Sequence, residues 1–189
     1  VLIAASSGNF GQALAHAAAL AGKRAIIVMP ATSARVKVDA VRGFGGEGRV
    51  VFATRNGTIN RMRLDAFRNM RREGLIGIAL DEGDELVSTL LVEGDPDFVL
   101  ATRMGQAIRF PLSAFRDLGR GTRGVRGISL EEGDTVIGMV KVQENAKLLT
   151  ITEKGFGKQT DPSEYRVTNR GGKGIINVRV ADKNGPAVC

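Results

Sequence analysis

Apolar positions follow two different rhythms along the 189 residues. Up to residue 52, short apolar runs at 1–5, 25–29 and 50–53 alternate with helical patterns. Residues 10–21 are apolar nearly all round and end at Gly22, which predicts a helix with a glycine just past its C-terminus. A second helix is predicted over 33–42, with Ser33 as N-cap and Gly43 after it. Strand, helix, strand, helix, strand reads as an α/β fragment, βαβαβ, with parallel strands buried on both faces.

From residue 53 onward the apolar runs shorten to four or five residues. Gly-Asp, Asn-Gly and Pro-containing turns punctuate every 8 to 12 positions, which is an all-β signature. The division into 1–52 and 53–189 falls inside one apparent strand and has no Pro/Gly/Ser-rich linker.

The second part repeats itself. Val51-Phe52-Ala53-Thr54-Arg55-Asn56-Gly57 returns as Val99-Leu100-Ala101-Thr102-Arg103-Met104-Gly105, and more weakly as Leu149-Thr150-Ile151-Thr152-Glu153-Lys154-Gly155. Gly74-Leu75-Ile76-Gly77-Ile78 returns 50 residues later as Gly124-Val125-Arg126-Gly127-Ile128, and again as Gly174-Ile175-Ile176-Asn177-Val178. A period of this length predicts about three propeller or pinwheel blades, each too small to bury its own face.

Charge is locked to the same period. Residues 55–72 hold six Arg and one acid, 81–97 hold seven acids and no base, and 103–126 hold six Arg and one acid. Stacked blades would therefore align their basic stretches into a stripe, which suits a phosphate backbone because each contact releases condensed counterions. An alternating solvated surface is the plainer reading of the same pattern. The net charge of +7 divides into +4 before residue 53 and +3 after it, so the phase of the charge carries more information than its sum.

Composition excludes several classes. With 43% hydrophobic and 25% charged residues, the chain has the balance of a globular protein. No apolar run approaches the roughly 18 residues of a membrane span, and 1–5 lacks the flanks of a signal peptide. Cys189 is the only cysteine, so no internal disulfide forms and a cytoplasmic setting is expected. One His and one Cys leave no zinc ligand set. His16 has no second ligand at useful spacing. Gly171-Gly172-Lys173-Gly174 lacks the spacing of a P-loop. Glu82-Gly83-Asp84 and Glu132-Gly133-Asp134 read as solvated turns.

With these strings in view, the repeat part resembles the C-terminal β-pinwheel of the DNA gyrase A protein. The resemblance rests on Ala53-Thr54-Arg55-Asn56-Gly57, Leu80-Asp81-Glu82-Gly83-Asp84, Gly119-Arg120-Gly121-Thr122-Arg123-Gly124 and Thr152-Glu153-Lys154-Gly155-Phe156. Glu164-Tyr165-Arg166 and Asn169-Arg170-Gly171-Gly172-Lys173-Gly174 extend it. It implies non-catalytic, largely sequence-independent binding of duplex DNA at a basic rim. Candidate contacts are Arg55, Arg61, Arg103, Arg109, Arg120, Arg123, Arg126, Lys158, Arg170 and Lys173. Other gyrase or topoisomerase subunits would be partners in a full-length parent, and open blade edges would allow oligomers. The family's Gln-Arg-Arg-Gly-Gly-Lys-Gly heptapeptide is approximated only by Thr168–Gly174, whose first two positions differ.

The first part resembles fold-type II pyridoxal-phosphate enzymes such as threonine dehydratase and serine racemase. Ala5-Ser6-Ser7-Gly8-Asn9-Phe10-Gly11-Gln12-Ala13 is similar to their substrate loop, where hydroxyls and amides at a helix N-terminus hold a carboxylate. Ser6, Ser7, Gly8 and Asn9 are thus vestigial cofactor-site candidates. The chain lacks the family's Ser-Phe-Lys string with its Schiff-base lysine and lacks the glycine phosphate cup. The expectation is accordingly a non-enzyme with no cofactor and no metal. The alternatives are an inactive dehydratase or racemase fragment, or a recombined fusion without selected function.

Overall fold

The computed structural model describes residues 2–5, 25–28, 48–67 and 75–189. Twelve strands lie within them. β1 (Leu2–Ala5) and β2 (Ala25–Val28) pair in parallel, Leu2 opposite Ala25 and Ala5 opposite Val28, as expected for the first two strands of the α/β fragment. The helices expected over 10–21 and 33–42, and Ser6, Ser7, Gly8 and Asn9, lie outside the described residues.

The third strand of the expected α/β unit is not in that sheet. β3 (Arg49–Thr54) pairs antiparallel with β4 (Thr58–Arg63) and with β5 (Leu86–Val92). The short turn Arg55-Asn56-Gly57, with Gly57 at φ 84, permits only antiparallel pairing, because a parallel neighbour needs a long crossover. The misreading has a physical cause. Val51 and Ala53 face one core with Ile59 and Phe98, while Val50 and Phe52 face another with Met62 and Leu64. A blade strand covered on both faces shows the same unbroken apolar run as a doubly buried parallel strand.

The remaining strands are β6 (Asp97–Thr102), β7 (Gln106–Pro111), β8 (Val125–Arg126), β9 (Val136–Lys141), β10 (Leu148–Ile151), β11 (Gly157–Thr160) and β12 (Ile175–Ile176). They form two four-stranded sheets, ordered β5-β3-β4-β8 and β9-β6-β7-β12, and a hairpin β10-β11. In each full sheet the last strand comes from the following repeat: β8 follows the β6–β7 hairpin yet pairs with β4, and β12 follows β10–β11 yet pairs with β7. The expected three blades are thus two complete sheets and a third hairpin, whose β10 also meets the chain near its C-terminus through an antiparallel bridge from Thr152 to Ala187.

The main core lies between the two full sheets. Phe98, Phe110 and Phe115 pack there with Leu100, Ile128 and Val136, with Phe110 and Phe115 edge to face at 6.1 Å. Such pairs add about 0.5–1.5 kcal/mol beyond area burial. A smaller cluster of Val99, Ala107 and Tyr165 joins the second sheet to the third hairpin. Among the described residues no helix is long and apolar enough to cross a membrane.

Candidate nucleic-acid interface

The ten basic candidates separate into braces and surface cations. Arg61 and Arg109 occupy the same register position, opposite Val51 and Val99. Both reach inward. Arg61 forms an ion pair with Asp117 at 2.8 Å, donates to the Leu112 carbonyl at 2.6 Å, and lies 5.4 Å from the centre of the Phe115 ring. Burial draws its pKa down, Asp117 opposes that, and Arg49 beside it adds to the lowering. Arg109 donates to Asp97 at 2.8 Å and to the Pro162 carbonyl at 2.7 Å. Their guanidinium forks join neighbouring blades, a task the planar donor set suits.

The ion-pair partner moves between repeats. In the second sheet Asp97, on β6, faces Arg109; its counterpart on β3 is Arg49, and both Arg49 and Arg61 turn to Asp117.

Two loops gather the surface cations. Residues 119–126 hold Arg120, Arg123 and Arg126, all exposed, and residues 169–174 hold Arg170 and the exposed Lys173. The loops stack through their backbones. Gly171 N–H donates to the Gly127 carbonyl at 2.6 Å, Ser129 N–H to Gly172 at 2.9 Å, and Arg170 Nη1 to the Arg126 carbonyl at 3.1 Å. On the other side, Gly121 N–H donates to Gly77 and Ala79 N–H to Thr122, both at 3.1 Å. The result is a column in which equivalent loops follow one another.

Close packing against the sheets fixes the column. Gly124 and Gly174, at φ 105 and 81, lie so near the carbonyls of Ile59 and Ala107 that a Cβ on either would collide with them. Asn60, fully buried, donates from Nδ2 to the Thr122 carbonyl at 3.1 Å and to its hydroxyl at 3.0 Å, which pins the first loop to β4.

Other candidates stand apart from the column. Arg55 and Arg103 sit in hairpin turns beside Glu85 at 3.4 Å and Glu153 at 4.0 Å. Lys158 is exposed and donates to the Asn177 carbonyl at 2.9 Å. Arg123 pairs with Asp81 at 3.1 Å and Lys173 with Glu131 at 3.9 Å. These exposed pairs are weak and screened by salt, so a polyanion can displace them. Arg120 and Arg126 enter no ion pair among the described residues.

Arg116 and Arg166 are not among the candidate contacts drawn from the sequence. Both are exposed, and each follows the buried aromatic of its repeat, Phe115 or Tyr165. Their 50-residue spacing was the available signal. Arg166 also lines an open cavity of about 240 Å³ with Arg109, Asn169 and Lys173.

The acidic stretches have a structural task. Asp84 Oδ1 accepts from the amides of Asn56 and Glu85, and Asp134 Oδ1 from those of Met104 and Thr135. Tyr165 is 2% exposed, and its hydroxyl donates to Asn177 Oδ1 at 2.6 Å. Burial pushes its pKa up.

Residues 96–143 and 146–185 match the family model "DNA gyrase C-terminal domain, beta-propeller". The solved "Structure of DNA gyrase A C-terminal domain" superposes with a TM-score of 0.69 at 29% identity, covering 76% of this chain and 48% of that one. The fold resembles the gyrase A C-terminal β-pinwheel. The C-terminal domain of DNA topoisomerase IV superposes equally well, with a TM-score of 0.69 at 26% identity over 75% of this chain and 44% of that one. Among curated relatives, the DNA gyrase A protein of Chlamydia pneumoniae is 39% identical over 87 residues, and that of Helicobacter pylori 41% over 87. Each match takes in 46% of this chain and 10% of the relative, so the chain spans about a tenth of the curated relatives it matches.

Residues 1–95, half of the chain, match the model "Pyridoxal-phosphate dependent enzyme", and over that half the chain belongs to that family by sequence. The pinwheel begins before that match ends. A structural likeness covering 76% of the chain extends back across residue 96, and β3, β4 and β5 already form a blade sheet. Pyridoxal chemistry requires a lysine shielded from water beside a phosphate cradle. All six lysines among the described residues (Lys141, Lys147, Lys154, Lys158, Lys173 and Lys183) are exposed, so the described residues do not fit the cofactor.

Proposed function

We propose that the pinwheel binds duplex DNA, without catalysis and largely without regard to base sequence, along the column of loops 119–126 and 169–174. The observation that carries this reading is the stacking of the two loops, with Gly171 N–H donating to the Gly127 carbonyl and the Arg170 guanidinium to the Arg126 carbonyl. It sets Arg120, Arg123, Arg126 and Lys173 in successive rows on the surface. Such rows match a phosphate backbone, where position is set by charge and sequence is not read. The names of its relatives, gyrase and topoisomerase IV, agree with a DNA partner. We place the change from the pyridoxal-enzyme-like part to the pinwheel near residue 52.

Filter binding to duplexes of unrelated sequence tests the reading. Log K should fall by about 0.9 per phosphate neutralised for each tenfold rise in salt. Replacing Arg120, Arg123 and Arg126 together by Ala should weaken all duplexes alike. No affinity at low salt, or an unchanged affinity in the triple variant, rejects it.

The match of residues 1–95 favours a second reading, in which Ser6, Ser7, Gly8 and Asn9 retain cofactor or substrate contacts. An absorbance scan after adding pyridoxal phosphate tests it. Absence of a Schiff-base band rejects covalent attachment.

A further inference from the structure

Two of the three hairpins are completed by a strand from the next repeat. β8 lies on β4 with Arg126 opposite Thr58 and Val125 opposite Ile59. β12 lies on β7 with Ile176 opposite Gln106 and Ile175 opposite Ala107. The turn glycine is covered in the same way each time. Gly57 accepts from the amides of Gly127 and Ile128, and Gly105 from those of Asn177 and Val178. A Cβ on Gly57 would press on the Ile128 carbonyl at 3.0 Å, and one on Gly105 would collide with that of Val178.

Gly155 holds the third such turn, and a Cβ there would meet nothing within 4 Å. No strand among the described residues lies on the outer edge of β11. The apolar surface that a donated strand covers elsewhere is open: Phe156 is 53% exposed, and Leu149 is 50% exposed where its counterpart Val99 is 2%.

The complementary element lies in the first repeat. Leu75-Ile76-Gly77-Ile78 is the copy, 50 residues earlier, of Val125-Arg126-Gly127-Ile128. One side is held as in the copy at 125–128, by Gly121 N–H on the Gly77 carbonyl and a parallel bridge from Ile78 to Thr122. The other side meets no hairpin among the described residues, and Ile76 and Leu80 are 73% and 44% exposed. The donor therefore keeps its shape without an acceptor.

We propose that the chain associates head to tail, residues 75–78 of one copy completing the β11 edge of a second copy. Ile76 pairs opposite Phe156, Leu75 opposite Gly157, and Ile78 covers Gly155, the register the chain uses twice within itself. An unpaired strand edge is a template for such addition. The contact is heterologous, so it propagates until rotation closes it.

Sedimentation equilibrium of the 189-residue chain without nucleic acid tests this. At micromolar concentration the expected mass exceeds the 20.1 kDa of one chain and falls to it on dilution. Leu75→Pro removes the amide that would donate to Gly157, and Phe156→Lys charges the acceptor. Each alone should remain monomeric with an unchanged circular dichroism spectrum. Mixed in equal amounts they should form a heterodimer, because the Leu75→Pro copy keeps its acceptor and the Phe156→Lys copy its donor. A wild-type monomer at every concentration overturns the proposal, even if a variant fails to fold. So do folded variants that dimerise like wild type, or that stay monomeric when mixed.

Discussion

Arg109 donates to the carbonyl of Pro162 at 2.7 Å, and this bond joins the second sheet to the turn that follows the third hairpin. Arg61 makes the equivalent bond to Leu112 one repeat earlier. The same residue type at the same register thus builds each junction between blades, while the arginines of the loops face solvent.

The two groups should respond differently to substitution. Arg109→Leu leaves the half-buried Asp97 without its partner and should destabilise the fold by about 1–3 kcal/mol. The salt slope of DNA binding by the folded fraction should not change. Lys173→Ala should leave thermal unfolding within about 0.5 kcal/mol of wild type and reduce that slope by about 0.9. Calorimetry and a salt titration of each variant decide the matter.

Two glycines of one loop should behave unequally. Gly121 and Gly124 both have positive φ, but open space surrounds Gly121 while the Ile59 carbonyl abuts Gly124. Gly121→Ala should cost only the left-handed backbone term, about 1–2 kcal/mol. Gly124→Ala adds a backbone collision, so its melting temperature should fall further and the loop arginines should lose their alignment. Chemical denaturation read beside DNA affinity distinguishes the two.

Asp134 is 7% exposed, and its carboxylate accepts from two amides. At the equivalent turn of the third repeat stands Asn184, which accepts from the Ala181 amide. Asp134→Asn should therefore be tolerated, whereas Asp134→Ala should cost about 1–3 kcal/mol by leaving buried donors unpaired. Urea unfolding of the pair measures the difference. Equal destabilisation by both would mean that the negative charge itself matters.

Burial raises the pKa of Tyr165, so above its usual value near 10 the unfolded chain loses the proton before the folded one does. The stability linked to this group is present in full below that pH. It declines as pH rises through the usual value toward the raised one. Thermal unfolding followed from about pH 8 to about pH 11, a window bracketing that usual value, should show the decline. Tyr165→Phe should flatten it while lowering stability at neutral pH, because Asn177 loses the 2.6 Å bond from the Tyr165 hydroxyl.

Much of the pinwheel was legible because its signals are local. The 50-residue return of Gly124 as Gly174 marks the points where a loop meets a strand too closely for any side chain. The recurrence of Arg55 at Arg103 marks the hairpin turns. The first two strands were legible as apolar runs, and they pair in parallel. Arg49–Thr54 was misassigned, since burial on both faces leaves one pattern for two kinds of sheet.

The amino-acid order by itself determined the repeat, its turns and the phase of its charges, because periodicity and glycine placement act within a few residues. Only the tertiary structure decided which arginines are braces and which face solvent. Arg61 and Arg120 are alike in sequence, and what separates them is Asp117 and the Leu112 carbonyl, both far from Arg61 along the chain. Strand exchange was likewise decided in three dimensions: β8 lies on β4 and β12 on β7, each on the hairpin of the preceding repeat, although β11 of β12's own repeat has an open outer edge among the described residues.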